Sequence, residues 1–314
     1  MKTVQRLQPT RRAFAAVLIA LMGCGGGGGS GGGSDSEPFA LRFAATDGNR
    51  EVGCGNQIAG VGPGGADSVE ISDLRFYVSN IRFTTADGKT VAPTLDENAF
   101  QYTDASGSVA LVDLTDTAAG ACSGEGITFP EGTARTNDAI TGMVDGNAIT
   151  GVTFDIAIPQ AMMKAVIANH TAEDAPSPLA EMHWSWAYAY RFFVMNAVVH
   201  NGAQPGEGYM HVGSTDCGGD GSKALTDRDT CGHLNAARVA LTSFDPATDM
   251  IAVDVRKLVA GMDFEVSTED ATYVGIECHS SPAQPDCPIL FGNLGIDMAT
   301  GTSSPAANSV FRVK

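Results

Sequence analysis

The chain has 314 residues, with 19 Lys and Arg against 36 Asp and Glu, a formal net charge of −17 and seven cysteines. So acidic a chain cannot neutralise a phosphate backbone, which excludes nucleic-acid binding as its function. It carries no P-loop, and its Gly-x-Ser-x-Gly and Gly-x-Gly-x-x-Gly matches, such as those at 28–32, 26–31 and 60–65, fall in Gly-rich stretches and not at a strand-to-helix turn, which removes the support for the enzyme classes built on those motifs.

The front of the chain reads as an export signal. Lys2, Arg6, Arg11 and Arg12 precede an apolar run from Ala13 to Met22, and Leu21-Met22-Gly23-Cys24 follows. A basic start, a short apolar stretch and a small residue before cysteine describe a lipoprotein signal peptide over 1–23, with Cys24 as the lipidated first residue. The apolar run is too short to span a bilayer. Thr10-Arg11-Arg12-Ala13-Phe14 also fits a twin-arginine signal, and ordinary basic residues explain it as well. Residues 24–38 then form a Gly/Ser tether that can bury nothing. With Gly25 and not Asp after the cysteine, the expected place is the outer membrane of a bacterial envelope, facing the periplasm or the cell surface.

The body is expected over 39–314 as one large domain. Phe39, Leu41 and Phe43 alternate as a first strand, and Gly53 to Gly65 is a Gly/Pro-rich loop. Leu74 to Thr84 reads as a strand, and Asp87-Gly88 as the turn into Val91. Val109 to Leu114 is a short core strand, and Ala118 to Gly126 a loop. Val152, Phe154, Ile156 and Ile158 alternate cleanly until Pro159. Gln160 to Ala168 forms a short helix whose Met162 and Met163 fill a core. After a turn over Gly202–Gly208 comes the strand Tyr209–Val212. Ala237–Phe244 and Met250–Leu258 read as a pair joined by Asp245-Pro246, and the last strands lie near Phe264–Val266 and Pro288–Leu294. Many short strands and little helix make the fold all-β, an antiparallel sandwich or a barrel-like domain with long loops.

Once Cys24 is set aside, six cysteines remain, an even number in an exported protein, which reads as disulfides. The local pairing is Cys54 with Cys122, Cys217 with Cys231 and Cys278 with Cys287. None of these spacings makes a zinc ribbon. Asp216, Asp220, Asp227 and Asp229 around the Cys217–Cys231 loop do not have EF-hand spacing and read as a solvated acidic loop.

The most unusual stretch is Glu181 to Phe193, which holds both tryptophans of the chain. As one strand it would place Met182, Trp184, Trp186, Tyr188 and Tyr190 on one face and His183 on the other. Such a face is either buried core or a platform for a sugar or a protein partner. His170 precedes this strand and His211 lies in the strand after it, so the two imidazoles and the aromatic face can meet in a metal site, for which imidazole suits copper, zinc, iron and nickel alike. His183 points away from both indoles, His200 precedes an exposed turn, and His233 and His279 sit beside cysteine-bounded loops. These four are set outside the site.

The order of motifs resembles one family. Phe76-Tyr77-Val78-Ser79-Asn80, Asn169-His170, Trp184-Ser185-Trp186, His211-Val212-Gly213-Ser214 and the closing Ile289-Leu290-Phe291-Gly292-Asn293 follow one another as in the MbnP-like proteins. Those are copper-binding proteins with a Trp-x-Trp motif, named for a member of a methanobactin operon. The resemblance implies a copper cofactor held by His170 and His211, with Trp184 or Trp186 oxidised to kynurenine by a partner di-haem enzyme of the MauG type. It implies that the chain is that enzyme's substrate and not itself an enzyme. His183 departs from the family pattern, which commonly has an apolar residue before the first tryptophan.

Overall fold

The computed structural model describes residues 36–115, 122, 135–145, 148–171, 174–185, 189–201, 205–217, 230–264 and 275–314. The signal, Cys24 and the tether up to residue 35 lie outside these residues, as do Trp186, Tyr188, Asp220, Asp227, Asp229 and most of Ala118–Gly126; Ser36, Glu37 and Pro38, expected in the tether, begin the first strand of the body.

Two sheets pack face to face. The larger is ordered Ala237–Thr242, Ile149–Ile156, Asp67–Thr85, Ala189–His200, Pro205–Gly213 and Ile276–His279, with shorter strands added at its sides. The smaller is ordered Phe311–Val313, Ile251–Asp254, Ser36–Asp47, Ala139–Asp145 and Thr94–Leu95. Phe39, Leu41 and Phe43 on the small sheet meet Phe76, Phe83 and Phe154 on the large one. Phe39–Phe83, Phe43–Phe76 and Phe43–Phe154 lie edge to face with centroids 5.0, 5.5 and 6.0 Å apart. This all-β sandwich is the fold class that the alternating strands announced.

The strand Asp67–Thr85 is the spine of the large sheet and runs well past the expected Leu74–Thr84 at its start. Its side chains are buried on both faces because a second core lies on the far side. There Tyr77, Val109, Leu111, Tyr190, Phe192 and Val194 are covered by Met162, Met163, Val166 and Ile167 of the helix Gln160–Asn169. Asn80 breaks the spine with φ of 52°, a conformation Asn tolerates. The register to the strand Ile149–Ile156 slips there, and Asn80 Nδ2 donates to Asp155 Oδ2 at 2.8 Å.

Three expectations are corrected. The stretch Glu181–Phe193 is not one strand: His183–Ser185 folds back on Ala189–His200, pairing His183 with Tyr190 and Ser185 with Ala189 across a register shift. The described residues on either side thus pair with each other instead of running on as one strand, while Trp186, Ala187 and Tyr188 lie outside them. Pro288–Leu294 is not a strand but part of the helix Cys287–Asn293. Its buried residues, Cys287, Leu290 and Phe291, fall at helical spacing, and Pro288 sits in the first turn, where its missing N–H costs nothing. Ala237–Thr242 and Ile251–Asp254 do not pair with each other. The first joins Ile149–Ile156 in the large sheet, and the second runs parallel to Ser36–Asp47 in the small one.

All three disulfides are present as paired by proximity: Cys54–Cys122, Cys217–Cys231 and Cys278–Cys287.

Candidate metal centre

Sheet register builds the site. Asp113, Arg75, Val194, His211 and His279 occupy one row across five neighbouring strands of the large sheet. The next row on the same face carries Asp73, Asn196, Tyr209 and Glu277. The site thus lies on the face of the large sheet that the helix covers, away from the main sandwich core.

At one end of the row stand two histidines. His211 Nδ1 and His279 Nδ1 are 3.0 Å apart. His211 is buried, and its Nε2 lies 2.8 Å from Asn196 Oδ1. An amide oxygen can only accept, so Nε2 carries the hydrogen and Nδ1 of His211 keeps a lone pair. Tyr209 packs on both rings, with centroids 5.8 and 5.4 Å away. Burial holds the His211 imidazolium pKa well below its usual range, and Arg191, His279 and Arg75 push it the same way. The result is a neutral, oriented imidazole, which is the state that binds metals.

Ser280 fastens the two histidine strands where they end. Its Oγ donates to the His211 carbonyl at 3.0 Å and accepts from Gly213 N at 2.9 Å. Cys278 anchors the residue before His279 to the helix Cys287–Asn293 through its disulfide. Outside the pair lies a cavity of about 510 Å³, lined by Ser214, Thr215, Asp216 and Cys217 on one side and by His279, Ser280, Ser281 and Pro282 on the other.

At the other end of the row is a buried charge cluster. Arg75 donates from Nε and Nη2 to the two carboxylate oxygens of Asp73, at 2.8 and 2.6 Å. Asp113 Oδ1 accepts from Thr115 N at 3.0 Å, while its Oδ2 has no hydrogen-bond partner among the described residues. Burial pushes the Asp113 carboxyl up to about 6. A carboxyl whose folded pKa is raised takes up a proton on folding. That contribution is fully present below the unfolded value and is lost as pH rises towards 6 and beyond. Asp113→Asn, which mimics the protonated acid, is therefore expected to be more stable than the parent by about 2 kcal/mol at pH 7.5, and about equal to it near pH 4. Urea denaturation at the two pH values checks this. An Asn variant less stable than the parent at both would show that the carboxylate is needed ionised.

The structure distributes the sequence-assigned residues unevenly. His211 is at the centre. His170 ends the helix Gln160–Asn169 with its Nδ1 3.7 Å from Asp174 Oδ1. Trp184 lies in the strand His183–Ser185, but its side chain and all of Trp186 fall outside the described residues. His183 Nδ1 lies 3.2 Å from the Ala180 carbonyl, and His233 Nε2 lies 3.1 Å from that of Ala299. Sequence reasoning missed His279 and Asn196. The faint signal was alternation: Ile276 and Cys278 point inward, which turns Glu277 and His279 to the face that His211 uses. Among the described residues no group of three or more His, Cys, Asp or Glu is placed to hold a metal ion. The donor set in view is the two-imidazole pair.

The fold is an all-β sandwich that carries a histidine pair, one member oriented by an asparagine, on its helix-covered face. The chain belongs to the MbnP family, whose model matches residues 36–280. Its structure is similar to that of MbnP from Methylosinus trichosporium, at 26% sequence identity and a TM-score of 0.68, over 89% of this chain and 98% of that one. No curated protein matches the chain.

Proposed function

We propose that the chain is an exported copper-binding lipoprotein of the bacterial envelope, and not an enzyme. The observation that carries this is the pairing of buried His211 with half-buried His279, 3.0 Å between Nδ1 atoms, with His211 oriented by Asn196. That separation is within what two imidazoles span on one ion with bonds of about 2.0–2.1 Å. Imidazole nitrogens suit copper, and a site without a carboxylate among its described ligands does not favour magnesium or calcium. To share an ion, His279 moves its hydrogen from Nδ1 to Nε2, while His211 already presents a lone pair.

His170 and an oxidised Trp184 or Trp186 complete the ligand set in this reading, as the family pattern implies. The strand His183–Ser185, which holds Trp184, pairs with Ala189–His200, and that strand pairs directly with the His211 strand. Kynurenine brings an aromatic amine and a carbonyl that indole lacks, and its formation is assigned to a separate di-haem enzyme of the MauG type. Cys24 supplies a lipid anchor in this reading, so the protein works at the membrane surface and is not inserted in it.

The test is peptide mass spectrometry on the protein from its own envelope. Conversion of one tryptophan to kynurenine adds about 4 Da to the peptide holding Trp184 and Trp186. The expected result is a near-complete gain at one of them, together with one copper per chain. Two unmodified tryptophans with the di-haem enzyme present and active would leave copper, if bound, on histidines alone. A carbohydrate- or protein-binding module using the Trp184/Trp186 face would show neither the mass gain nor stoichiometric copper.

A further inference from the structure

We propose that the cavity beside His279 is an exchange port, through which a small chelator takes metal from the histidine pair, or gives it up, without the sandwich opening. The inference rests on the reading above that the pair holds copper. His279 belongs both to the pair and to the cavity wall, whereas His211 is buried behind it. A ligand entering the cavity therefore meets the outer histidine first. The space, about 510 Å³, is the size of a small-molecule site and far too small for a folded partner. Its wall is built of hydroxyl side chains, a disulfide and one proline, with Asp216 as its one carboxylate among the described lining residues. With that carboxylate in the wall it suits a neutral, nitrogen- or sulfur-donating chelator better than an anionic one.

The described walls are tied to the body on both sides. Cys217 is tied to Cys231, and Cys278 to Cys287. Ser280 bonds across both histidine strands. Thr215 pairs with His233 through two backbone hydrogen bonds, at 2.9 and 3.2 Å. A preformed opening favours associative transfer, in which a donor atom of the chelator bonds the metal as the bond to His279 breaks. The step is a ligand substitution: no electron changes hands, and the metal keeps its oxidation state.

The experiment uses the full chain isolated from its own cell, loaded with copper and kept reduced with ascorbate. Transfer to neocuproine, a small neutral copper(I) chelator, is followed by stopped-flow absorbance. An exchange port predicts a transfer rate that rises linearly with neocuproine concentration. Ser281→Trp, which fills the mouth, lowers that slope by about tenfold and leaves copper affinity within about twofold, since the change falls on kinetics. Thr215→Phe, on the opposite wall, is the second filling variant should the first not fold. A rate independent of neocuproine concentration would overturn the port, because release would then precede capture. Equal slopes in parent and folded filling variants would do the same. A chain that takes up no copper fails at the loading step, which overturns the proposed function itself and is seen before any rate is measured.

Discussion

Replacing His211 with alanine is expected to weaken copper binding by more than about 100-fold, measured by anaerobic competition titration. Loss of an outer-sphere partner alone typically costs about 10–100-fold, so loss of a buried ligand should exceed that range. His279→Ala should match it, because each imidazole presents Nδ1 to the same space. Asn196→Ala should fall in the lower range. It removes no ligand but frees His211 to place its hydrogen on either nitrogen. His170→Ala is expected to weaken binding as well, as the family-matched position. His200→Ala, at the far end of its strand, serves as the control and should leave affinity within about twofold. Parent-like affinity in both His211→Ala and His279→Ala would move the copper site elsewhere. Parent-like affinity in His170→Ala alone would reduce the histidine set to the pair on the sheet.

Local pattern carried the sandwich further than it carried the site. Val152, Phe154 and Ile156 alternate because one sheet face meets the aromatic core, and that pairing of period with burial is written residue by residue. The disulfides were legible for the same reason, since two of the three close short loops. The Trp-Ser-Trp stretch misled because nothing in its pattern marks a turn: the reversal between Ser185 and Ala189 contains no Gly, Pro, Asn or Asp to announce it. His279 misled for another reason. It meets His211 through a parallel pairing of strands more than sixty residues apart in the chain, and such pairing leaves no local trace. Its neighbour Cys278 suggested a loop, yet that same disulfide is what fixes the strand. Alternation with Met210 and Val212 turned His211 away from the sandwich core, and its burial was not foreseeable, because it depends on the second core on that far face. Nor was its orientation by Asn196, because the two face each other only once the register between their strands is set.

Arg75→Met is expected to destabilise the fold by about 3–5 kcal/mol, read as a lower urea midpoint with the disulfides intact. Arg75 is buried, and its Nε and Nη2 both donate to Asp73. Its charge also faces Asp113, whose Oδ2 has no hydrogen-bond partner among the described residues. Removing the guanidinium leaves two carboxylates in a dry row of the sheet, and desolvation of unpaired charge is the large term there. Neutralising the row as a whole should recover most of the loss. Asp73→Asn with Arg75→Met and Asp113→Asn should lie within about 1–2 kcal/mol of the parent, because a buried ion pair contributes little net stability over neutral groups of similar volume. If the triple variant is as unstable as Arg75→Met alone, packing of the arginine stem and not charge sets the cost. The same row runs on through His211 to His279, so the two variants also ask whether the cluster serves the site. Arg75 is one of the cations that keep His211 neutral, and burial is the larger cause. The triple variant should therefore fold, keep His211 mainly neutral, and bind copper close to the parent. A folded triple variant that has lost copper would instead make the charge row a positioning device for the histidine pair, acting through the Val194 position that separates Arg75 from His211 in the sheet.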